Sequence, residues 1–221
     1  MHATLDLAGE RLEAQPSGAL WWPARRLLAV ADLHLGRSER VAREGGVLLP
    51  PYETEDTLNR LEDVVLACNP RLLISLGDSF DDLAAARSLG VSVVSRLERL
   101  AAGRRLIWIA GNHDPGPVEL PGTYVEAAEI GPIAFRHIAD PEARGAEISA
   151  HYHPKVHLTL RGRRITRRCF LASGRRVILP AFGAYTGGLE VRDAAYEPLM
   201  GDETRVYVLG KQVTGLPLEQ V

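Results

Sequence analysis

The sequence has few cysteines and no long apolar run, and each absence excludes a class of protein. Only Cys68 and Cys169 occur among 221 residues, too few for the disulfide framework of a small secreted domain. No apolar stretch approaches the ~20 residues that a membrane-spanning helix requires. The first residues lack the basic and apolar regions of a secretory signal. We therefore expect a cytoplasmic protein.

Lysine is scarce, and an excess of positive charge is missing. The formal net charge is −2, and Lys155 and Lys211 are the only lysines. A globally basic nucleic-acid-binding surface is therefore excluded, although a local basic patch is not. The length suits one α/β domain with a sizeable core, and no stretch is long and polar enough for a linker. We predict a single domain over residues 1–221.

The first half of the chain predicts the order β-α-β-α-β. Three short apolar runs, Leu27–Ala31, Leu72–Leu76 and Leu106–Ala110, are typical of buried strands. Between them, Glu53–Ala67 and Asp82–Ala102 have the apolar spacing of amphipathic helices.

The amino terminus and the second half predict strands instead. After Pro115 glycine and proline become frequent, and short β-rich runs replace the helical pattern. Ser173 and Gly174 form a hairpin turn signal between two of these runs. The predicted strands are Leu5–Leu12, Tyr124–Ala127, Ile133–Arg136, Glu147–Ala150, Val156–Leu160, Cys169–Leu171, Val177–Leu179 and Val206–Leu209.

Metal-capable side chains concentrate in five short clusters, three of which directly follow the apolar runs of the first half. Carboxylate, imidazole and carboxamide groups at the ends of neighbouring strands predict a metal site at the rim of a sheet. Five of the seven histidines fall in these clusters. The clusters are Asp32-Leu33-His34, Gly77-Asp78, Gly111-Asn112-His113-Asp114, His137 and His151-Tyr152-His153.

Each cluster alone also has an ordinary structural explanation. Asp32 and His34 could lie in a surface loop, Asp78 could cap a helix, and Asn112 with its neighbours could form a turn. In an extended chain, however, residues i and i+2 point to the same side, so Asp32 with His34 could grip one ion. The same holds for the two histidines of the last cluster. His2 and His157 are interpreted as structural or incidental.

The ligand types indicate which metals the site would hold. Mixed His, Asp and Asn ligation suits Mn, Fe, Zn, Co or Ni rather than the soft metals that thiolates select. Two such ions ~3.5–4 Å apart can clamp a phosphoryl group and stabilise both the attacking and the leaving oxygen. We expect two divalent ions, with manganese as the first choice. His113 beside Asp114 suits a general acid or an oxyanion clamp.

These clusters, in this order, resemble the calcineurin-like metallophosphoesterase superfamily. The closer resemblance is to the bacterial DNA-ligase-associated metallophosphoesterases, described as ligase-associated DNA damage response endonucleases, and it covers roughly residues 20 to 210. The segments that carry the resemblance are Ala31–Gly36, Gly77–Phe80, Gly111–Pro115, His151–Pro154 and Leu179–Leu189.

The resemblance implies an α/β fold, a four-layer α/β/β/α sandwich of two mixed β-sheets flanked by helices. It also implies a role for each matching residue. One ion would be held by Asp32, His34 and His153, and Asp78 would bridge the two ions. The ligands of the other ion would be completed by Asn112, His137 and His151. His113 would act on the leaving oxygen, with Asp114 behind it.

Two residues depart from the family pattern. Ala150 stands before His151 where the family has glycine, which allows an unusual backbone conformation. Asp81 follows Gly77–Phe80 where the family often has histidine. A further carboxylate beside the site could change the substrate preference or the metal affinity.

An arginine-rich stretch follows the last cluster. It could track a phosphate backbone, or it could be a solvated hairpin whose arginines discourage edge pairing. Trp21 and Trp22 could serve as a stacking platform, but packing in an early hairpin is the alternative. The arginines are Arg161, Arg163, Arg164, Arg167, Arg168, Arg175 and Arg176.

The leading functional hypothesis is a dinuclear-metal phosphodiesterase or endonuclease, with DNA or RNA as a candidate substrate. A link to DNA repair and to a DNA ligase comes from the family resemblance alone. The alternative on the same site is a small-molecule phosphatase or nucleotide pyrophosphatase. A non-catalytic scaffold is the third hypothesis, and the completeness of the ligand set argues against it.

Overall fold

The computed structural model describes residues 1–46 and 48–221, and its first sheet carries the predicted βαβ half. The strands hydrogen-bond in chain order, antiparallel from β1 to β4 and parallel from β4 to β7. Their bounds are β1 Ala3–Leu7, β2 Glu10–Ala14, β3 Leu20–Trp22, β4 Leu27–Val30, β5 Leu72–Leu76, β6 Arg105–Ile109 and β7 Thr123–Val125.

The three predicted buried strands are confirmed to within a residue at each end. The single strand predicted over Leu5–Leu12 is wrong, because Ala8 and Gly9 adopt positive φ values of 55° and 78° and turn the chain into the β1–β2 hairpin. Trp22 in β3 is buried, and its indole Nε1 donates to Glu10 at 3.1 Å. Trp22 therefore packs in the core and does not offer a stacking surface.

Four α-helices occur in the part of the chain described: α1 Arg37–Arg43, α2 Glu53–Cys68, α3 Leu83–Arg87 and α4 Val91–Ala101. The predicted helix Glu53–Ala67 is confirmed as α2, which ends at Asn69 in the left-handed region before Pro70.

The single helix predicted over Asp82–Ala102 is wrong. The Asp82 side chain caps α3 by accepting the Ala85 N–H at 2.6 Å. Gly90 is extended, with φ −61° and ψ 150°, at the start of α4. The local cap and the low helix propensity of glycine divide the apolar pattern into two helices.

Helices α2 and α4 cover one face of the first sheet. Leu58 and Leu61 of α2 and Leu97 of α4 pack against Leu28 and Trp108 of the sheet in one buried cluster. The strands read as continuous apolar runs because their other face is buried too, against the second sheet.

The second sheet contains the β-rich half. Its order is β15-β14-β12-β13-β10-β9-β8, with β11 paired to β12. Its strands are β8 Ala127–Ile130, β9 Ile133–Arg136, β10 Ala146–Ser149, β11 Lys155–Leu160, β12 Arg163–Ser173, β13 Arg176–Ile178, β14 Arg205–Val208 and β15 Thr214–Pro217.

Most strands predicted for this half are confirmed with shifts of a residue or two. The predicted strand Tyr124–Ala127 is wrong, because the chain there leaves β7 in one sheet and enters β8 in the other. The predicted strand Cys169–Leu171 is the centre of a longer strand, β12. The predicted turn at Ser173 and Gly174 joins β12 to β13 as an antiparallel pair.

The two sheets face each other across a buried apolar core, to which Ile74 and Ile107 contribute from one side and Phe135 and Phe170 from the other. The outer face of the second sheet is covered by β11 and a segment containing the 3-10 helix Ala194–Tyr196. The predicted α/β sandwich of two mixed sheets with flanking helices is confirmed, with the α-helices on the first sheet. Among the described residues, every helix is too short or too polar to cross a membrane.

Candidate metal centre

The structure brings all seven predicted ligands together where the edges of the two sheets meet. Asp32, Asp78 and Asn112 come after β4, β5 and β6, whose parallel arrangement places their carboxyl ends on one edge. His137 comes after β9, and His151 and His153 after β10. Each sheet therefore supplies part of the ligand set, so the centre depends on how the sheets pack.

The backbone at five of the seven predicted ligands is left-handed rather than extended. Left-handed backbone is uncommon for residues other than glycine, although Asp and His tolerate it better than most. The prediction that Asp32–His34 and His151–His153 converge through extended chain is therefore wrong in its geometry, although the side chains do converge. The positive φ values are 50° at Asp32, 46° at His34, 45° at Asp78, 70° at His151 and 48° at His153.

One set of side chains consists of Asp32, His34 and His153. One ligand atom from each lies within 4.8 Å of the others. Asp32 is fully buried and His34 is 2% exposed. Asp32 Oδ1, His34 Nε2 and His153 Nε2 are buried, and none makes a hydrogen bond of good geometry within the described residues, although His153 Nε2 lies 3.1 Å from Asp32 Oδ1. Unpartnered buried polar atoms are costly, and a cation held between these three would satisfy them all.

A second set consists of Asp78, His137 and His151, again with ligand atoms within 4.8 Å of one another. His137 Nδ1 lies 2.8 Å from the Leu76 carbonyl oxygen. Because a carbonyl only accepts, Nδ1 carries the proton and Nε2 is left as the ligand atom. That Nε2 lies 3.0 Å from Asn112 Oδ1 and 3.3 Å from His151 Nδ1.

Asp78 lies between the two sets. Its Oδ2 is 3.4 Å from His137 Nε2 of the second set and 3.9 Å from His34 Nε2 of the first. Its Oδ1 accepts the His113 backbone N–H at 2.9 Å. The alternative that Asp78 caps a helix is wrong, because Asp82 caps α3. One carboxylate within reach of both sets suits a residue that bridges two ions.

The electrostatics of the centre favour positive charge. Burial by itself would lower the pKa of His137, but its hydrogen bond to Asp78 and the charges of Asp32 and Asp78 raise the pKa to about 9. Burial would raise the pKa of Asp78, but His137 outweighs it and lowers the pKa to about 2. The buried carboxylates thus hold their charge and attract a cation, whether a proton or a metal ion.

His113 lies beside the first set, with its ring centroid 5.1 Å from that of His34. Its Nδ1 lies 2.9 Å from the Asp81 carbonyl oxygen. The carbonyl fixes the proton on Nδ1, which leaves Nε2 as the ring nitrogen that can exchange a proton during a reaction.

Asp114 occupies a different position from the one expected, because its carboxylate bonds to backbone rather than to the His113 ring. Its oxygens accept four backbone N–H groups, from Asp78, Ser79, Phe80 and Gly111, at 2.7–3.2 Å. Burial nevertheless raises the pKa of Asp114 to about 6. Asp114 therefore joins the loop after β5 to the loop after β6 and fixes the backbone that carries Asp78.

Asp81 is the residue whose role sequence analysis missed. It is fully buried, and its Oδ1 lies 2.8 Å from His34 Nδ1. Arg37 donates to it at 3.2 Å, and Arg40 donates through Nε. Burial would raise the pKa of Asp81, but the hydrogen bonds from His34 and Arg40 lower it to about 2. Asp81 thus orients the His34 ring so that Nε2 faces the first set.

Two glycines allow the loops to approach. A Cβ on Gly77, which has a φ of +76°, would lie 2.5 Å from the His137 ring, and a Cβ on Gly111 would lie 2.2 Å from the Asp78 backbone nitrogen. Ala150, in contrast, is buried between the sheets outside the left-handed region. The alanine is therefore compatible with the backbone that precedes His151.

The donor set fits two divalent ions. Each set combines a carboxylate oxygen with imidazole nitrogens, Asn112 adds a neutral oxygen to the second, and Asp78 reaches both. Such mixed nitrogen and oxygen ligation suits Mn, Fe, Zn, Co or Ni.

Comparisons with known proteins identify the family. The family model for calcineurin-like phosphoesterases matches residues 25–167. The crystal structure of the Pseudomonas putida nuclease MPE is 29% identical, with a TM-score of 0.76, over 98% of this chain and 100% of that one. YfcE, a phosphoesterase from E. coli, is 14% identical with a TM-score of 0.42, over 87% of this chain and 98% of that one. The search of curated proteins gave no match.

Proposed function

Because the chain belongs to the calcineurin-like phosphoesterase family, whose members are metal-dependent phosphoester hydrolases, we propose that it hydrolyses phosphodiester bonds. We propose nucleic acid as its substrate. The observation that carries the proposal is the convergence of two ligand sets on Asp78, with three buried atoms of the first set left without a hydrogen bond of good geometry. The similarity to a structure described as a nuclease supports the diester and nucleic-acid parts.

The proposed ligands divide as the distances do. Asp32, His34, His153 and the shared Asp78 would hold one ion, and Asp78, Asn112, His137 and His151 the other. Two bound divalent ions would supply Lewis-acid chemistry, neutralising charge on the phosphoryl group. We propose manganese as the native metal because hard and borderline donors make up the set.

Residues of the protein would orient the ligand imidazoles and transfer a proton to the leaving oxygen. Asp81 and the Leu76 carbonyl hold the rings of His34 and His137, so that each presents Nε2. His113, held at Nδ1 by the Asp81 carbonyl, would deliver a proton from Nε2 to the leaving oxygen. Asp114 would act only through position, by fixing the backbone around Asp78 and Gly111.

A paired hydrolysis assay tests the proposal. Metal-stripped protein would be reloaded with manganese, the bound metal would be measured, and bis-p-nitrophenyl phosphate would be compared with p-nitrophenyl phosphate. About two ions per chain and a manganese-dependent preference for the diester are the expected results. Preference for the monoester would move the assignment to a phosphatase. Two bound ions without turnover of either ester would contradict the proposed hydrolysis.

The link to DNA repair and to a DNA ligase stays a prediction from the family resemblance, and the cytoplasmic location stays a prediction from the sequence composition. Co-precipitation of the tagged protein with a DNA ligase from cells that carry both genes tests the link to the ligase. Loss of the association after nuclease treatment would mean that DNA, and not a protein contact, joins the two.

A further inference from the structure

Beside the metal centre, β11 and β12 form a hairpin that we name the basic arm, residues 155–168. Its register pairs Lys155 with Arg168, His157 with Thr166 and Thr159 with Arg164. Directly paired residues share a face of an antiparallel hairpin, and alternate residues of a strand do too. These six side chains therefore form one wholly polar face that carries two arginines and a lysine and no carboxylate.

The other face of the basic arm is different. Val156 and Leu158 pack with the apolar cluster that covers the second sheet. Arg163 and Arg167 alternate with the arginines of the polar face and are exposed. The arm thus has a packed face, which fixes its orientation, and a polar face, which is directed elsewhere.

Three residues of the polar face line a cleft of about 480 Å³. Lys155, Thr166 and Arg168 form one wall, Asp56 and Arg60 of α2 form a second, and residues 183–186 form the third. Arg168 donates to the Ala181 carbonyl at 2.8 Å, and Arg60 donates to the Phe182 carbonyl at 2.8 Å. The Arg168 guanidinium is held by backbone carbonyls alone, whereas Arg60 is held by the Phe182 carbonyl and by Asp56.

Positive charge in the cleft is incompletely balanced. Asp56 is the only carboxylate among the residues that line it, and it lies 3.1 Å from Arg60 Nε. Burial, and to a smaller extent the charge of Arg60, lowers the pKa of the Arg168 guanidinium to about 10. Three cations close together in a partly desolvated cleft favour an anionic ligand.

The walls of the cleft are connected to the metal centre through the chain and through a backbone hydrogen bond. Lys155 is two residues beyond His153, and its Nζ donates to the Thr186 carbonyl at 2.9 Å. The Gly183 N–H donates to the Asp32 carbonyl at 3.0 Å. The segment that walls the cleft is therefore bonded directly to the backbone of a proposed ligand, and an anion in the cleft would lie beside a phosphoryl group at the metals.

An exposed aromatic side chain completes the cleft. Tyr185 lines it and is 47% exposed, in the left-handed region with a φ of 55°. A basic groove beside an exposed aromatic ring is the combination with which proteins hold unpaired nucleic acid, phosphates on the cations and bases on the ring. An acidic peptide would use the cations but would leave the ring without a stacking partner.

We propose that the polar face of the basic arm, with Arg60 and Tyr185, binds the backbone of a polynucleotide on one side of the phosphodiester held at the metals. Arg164 and Arg168 lie about 13 Å apart along β12, four residues at about 3.3 Å each, so they would contact different phosphates, with Tyr185 under an unpaired base. This inference rests on the proposed function, because it extends the same substrate outward from the metal centre.

Adjacent arginines on opposite faces provide a matched test. Arg164→Ala removes a charge from the polar face, and Arg163→Ala removes the same charge from the other face. Manganese-loaded full-length proteins would be titrated with a fluorescein-labelled phosphorothioate oligothymidylate of about 16 nucleotides, followed by anisotropy at several salt concentrations. Arg164→Ala is expected to weaken binding about fivefold and to make the slope of log affinity against log salt shallower by about 0.7.

Arg163→Ala is expected to match the wild type in affinity and in slope. Equal effects of the two variants, or no binding of the oligonucleotide by the wild type, would overturn the proposal. Tyr185→Leu, with Tyr185→Phe as the variant that keeps the ring, tests stacking. The leucine variant should bind about tenfold more weakly than the phenylalanine variant, and equal affinity would remove Tyr185 from the surface.

Hydrolysis separates this inference from the proposed function. Arg164→Ala should lower the ratio of kcat/KM for an oligonucleotide to kcat/KM for bis-p-nitrophenyl phosphate, and Arg163→Ala should not. If the wild type hydrolysed no diester, the proposed function would fail, while the salt slopes would still decide whether the arm binds nucleic acid.

Discussion

The metal centre and the basic arm lie side by side but differ in burial, in charge pairing and in backbone. Four of the seven proposed ligands of the centre are buried, its charged groups face one another, and five of its residues have left-handed backbone. The arm is a regular hairpin with exposed arginines and little compensating negative charge. The difference indicates that catalysis requires side chains whose positions are fixed by packing. Electrostatic attraction of an anion, in contrast, requires only charged residues that alternate along a strand.

The largest effect should come from the carboxylate shared by the two ligand sets. Asp78→Asn keeps the size, the tolerance of left-handed backbone and an oxygen for the His113 N–H, but it removes the charge that both ions would share. We expect manganese binding to fall below two ions and diester turnover to fall about 1,000-fold. Asp63→Asn, on the exposed side of α2, is the control. Two bound ions and full turnover in the variant would refute the bridging role.

The next largest effect should come from His113. Removing its ring in His113→Ala takes away the proposed proton donor, and diester turnover should fall about 100-fold or more. Metal content and thermal stability should stay near the wild type, because the ring is only half-buried. His2→Ala, at an exposed histidine, is the control. Wild-type turnover under saturating manganese would exclude the role.

Asp114 should behave differently from its neighbour. Four backbone N–H groups donate to the Asp114 carboxylate. Asp114→Asn places an amide NH2, which is itself a donor, against some of them. The free energy of unfolding should fall by about 3 kcal/mol, whereas His113→Ala should leave it nearly unchanged. Denaturant titration of the two variants measures this. A stable but inactive Asp114→Asn would instead indicate a direct part in the chemistry.

A smaller effect is expected at Asp81. Asp81→Asn weakens the hold on His34 and leaves Arg37 and Arg40 without their shared carboxylate. The manganese affinity of the first set, to which His34 belongs, should fall about 10- to 100-fold, and turnover should recover at high manganese. A defect that saturating metal does not restore would mean that Asp81 acts on the substrate instead.

The smallest effect, and the one that best separates the two regions, is salt. If the arm contacts about three phosphates, the salt slope for oligonucleotide binding is about −2, and binding falls about 20-fold between about 50 and 200 mM salt. Hydrolysis of bis-p-nitrophenyl phosphate, which is too small to reach the arm, should change far less. Parallel salt curves for the two substrates would argue against separate regions.

Prediction from sequence succeeded where a residue's role depends on its neighbours in the chain. The strands β4 to β6 were recognisable because both their faces are buried, and α2 because its apolar spacing is undisturbed. Prediction failed at Asp82–Ala102, where the Asp82 cap and Gly90 outweigh a continuous apolar pattern. It also failed at Tyr124–Ala127, because nothing local marks where a chain leaves one sheet for another.

The sequence by itself determined the identity of the seven candidate ligands, since their residue types and order carry the family resemblance. Only the tertiary structure decided how they meet, through left-handed backbone and the packing of two sheets. It also decided that Asp81 supports His34 and that Tyr185 lies near Arg168. The physical reason is that ligand chemistry belongs to single side chains, whereas orientation and local charge depend on contacts between residues distant in the chain.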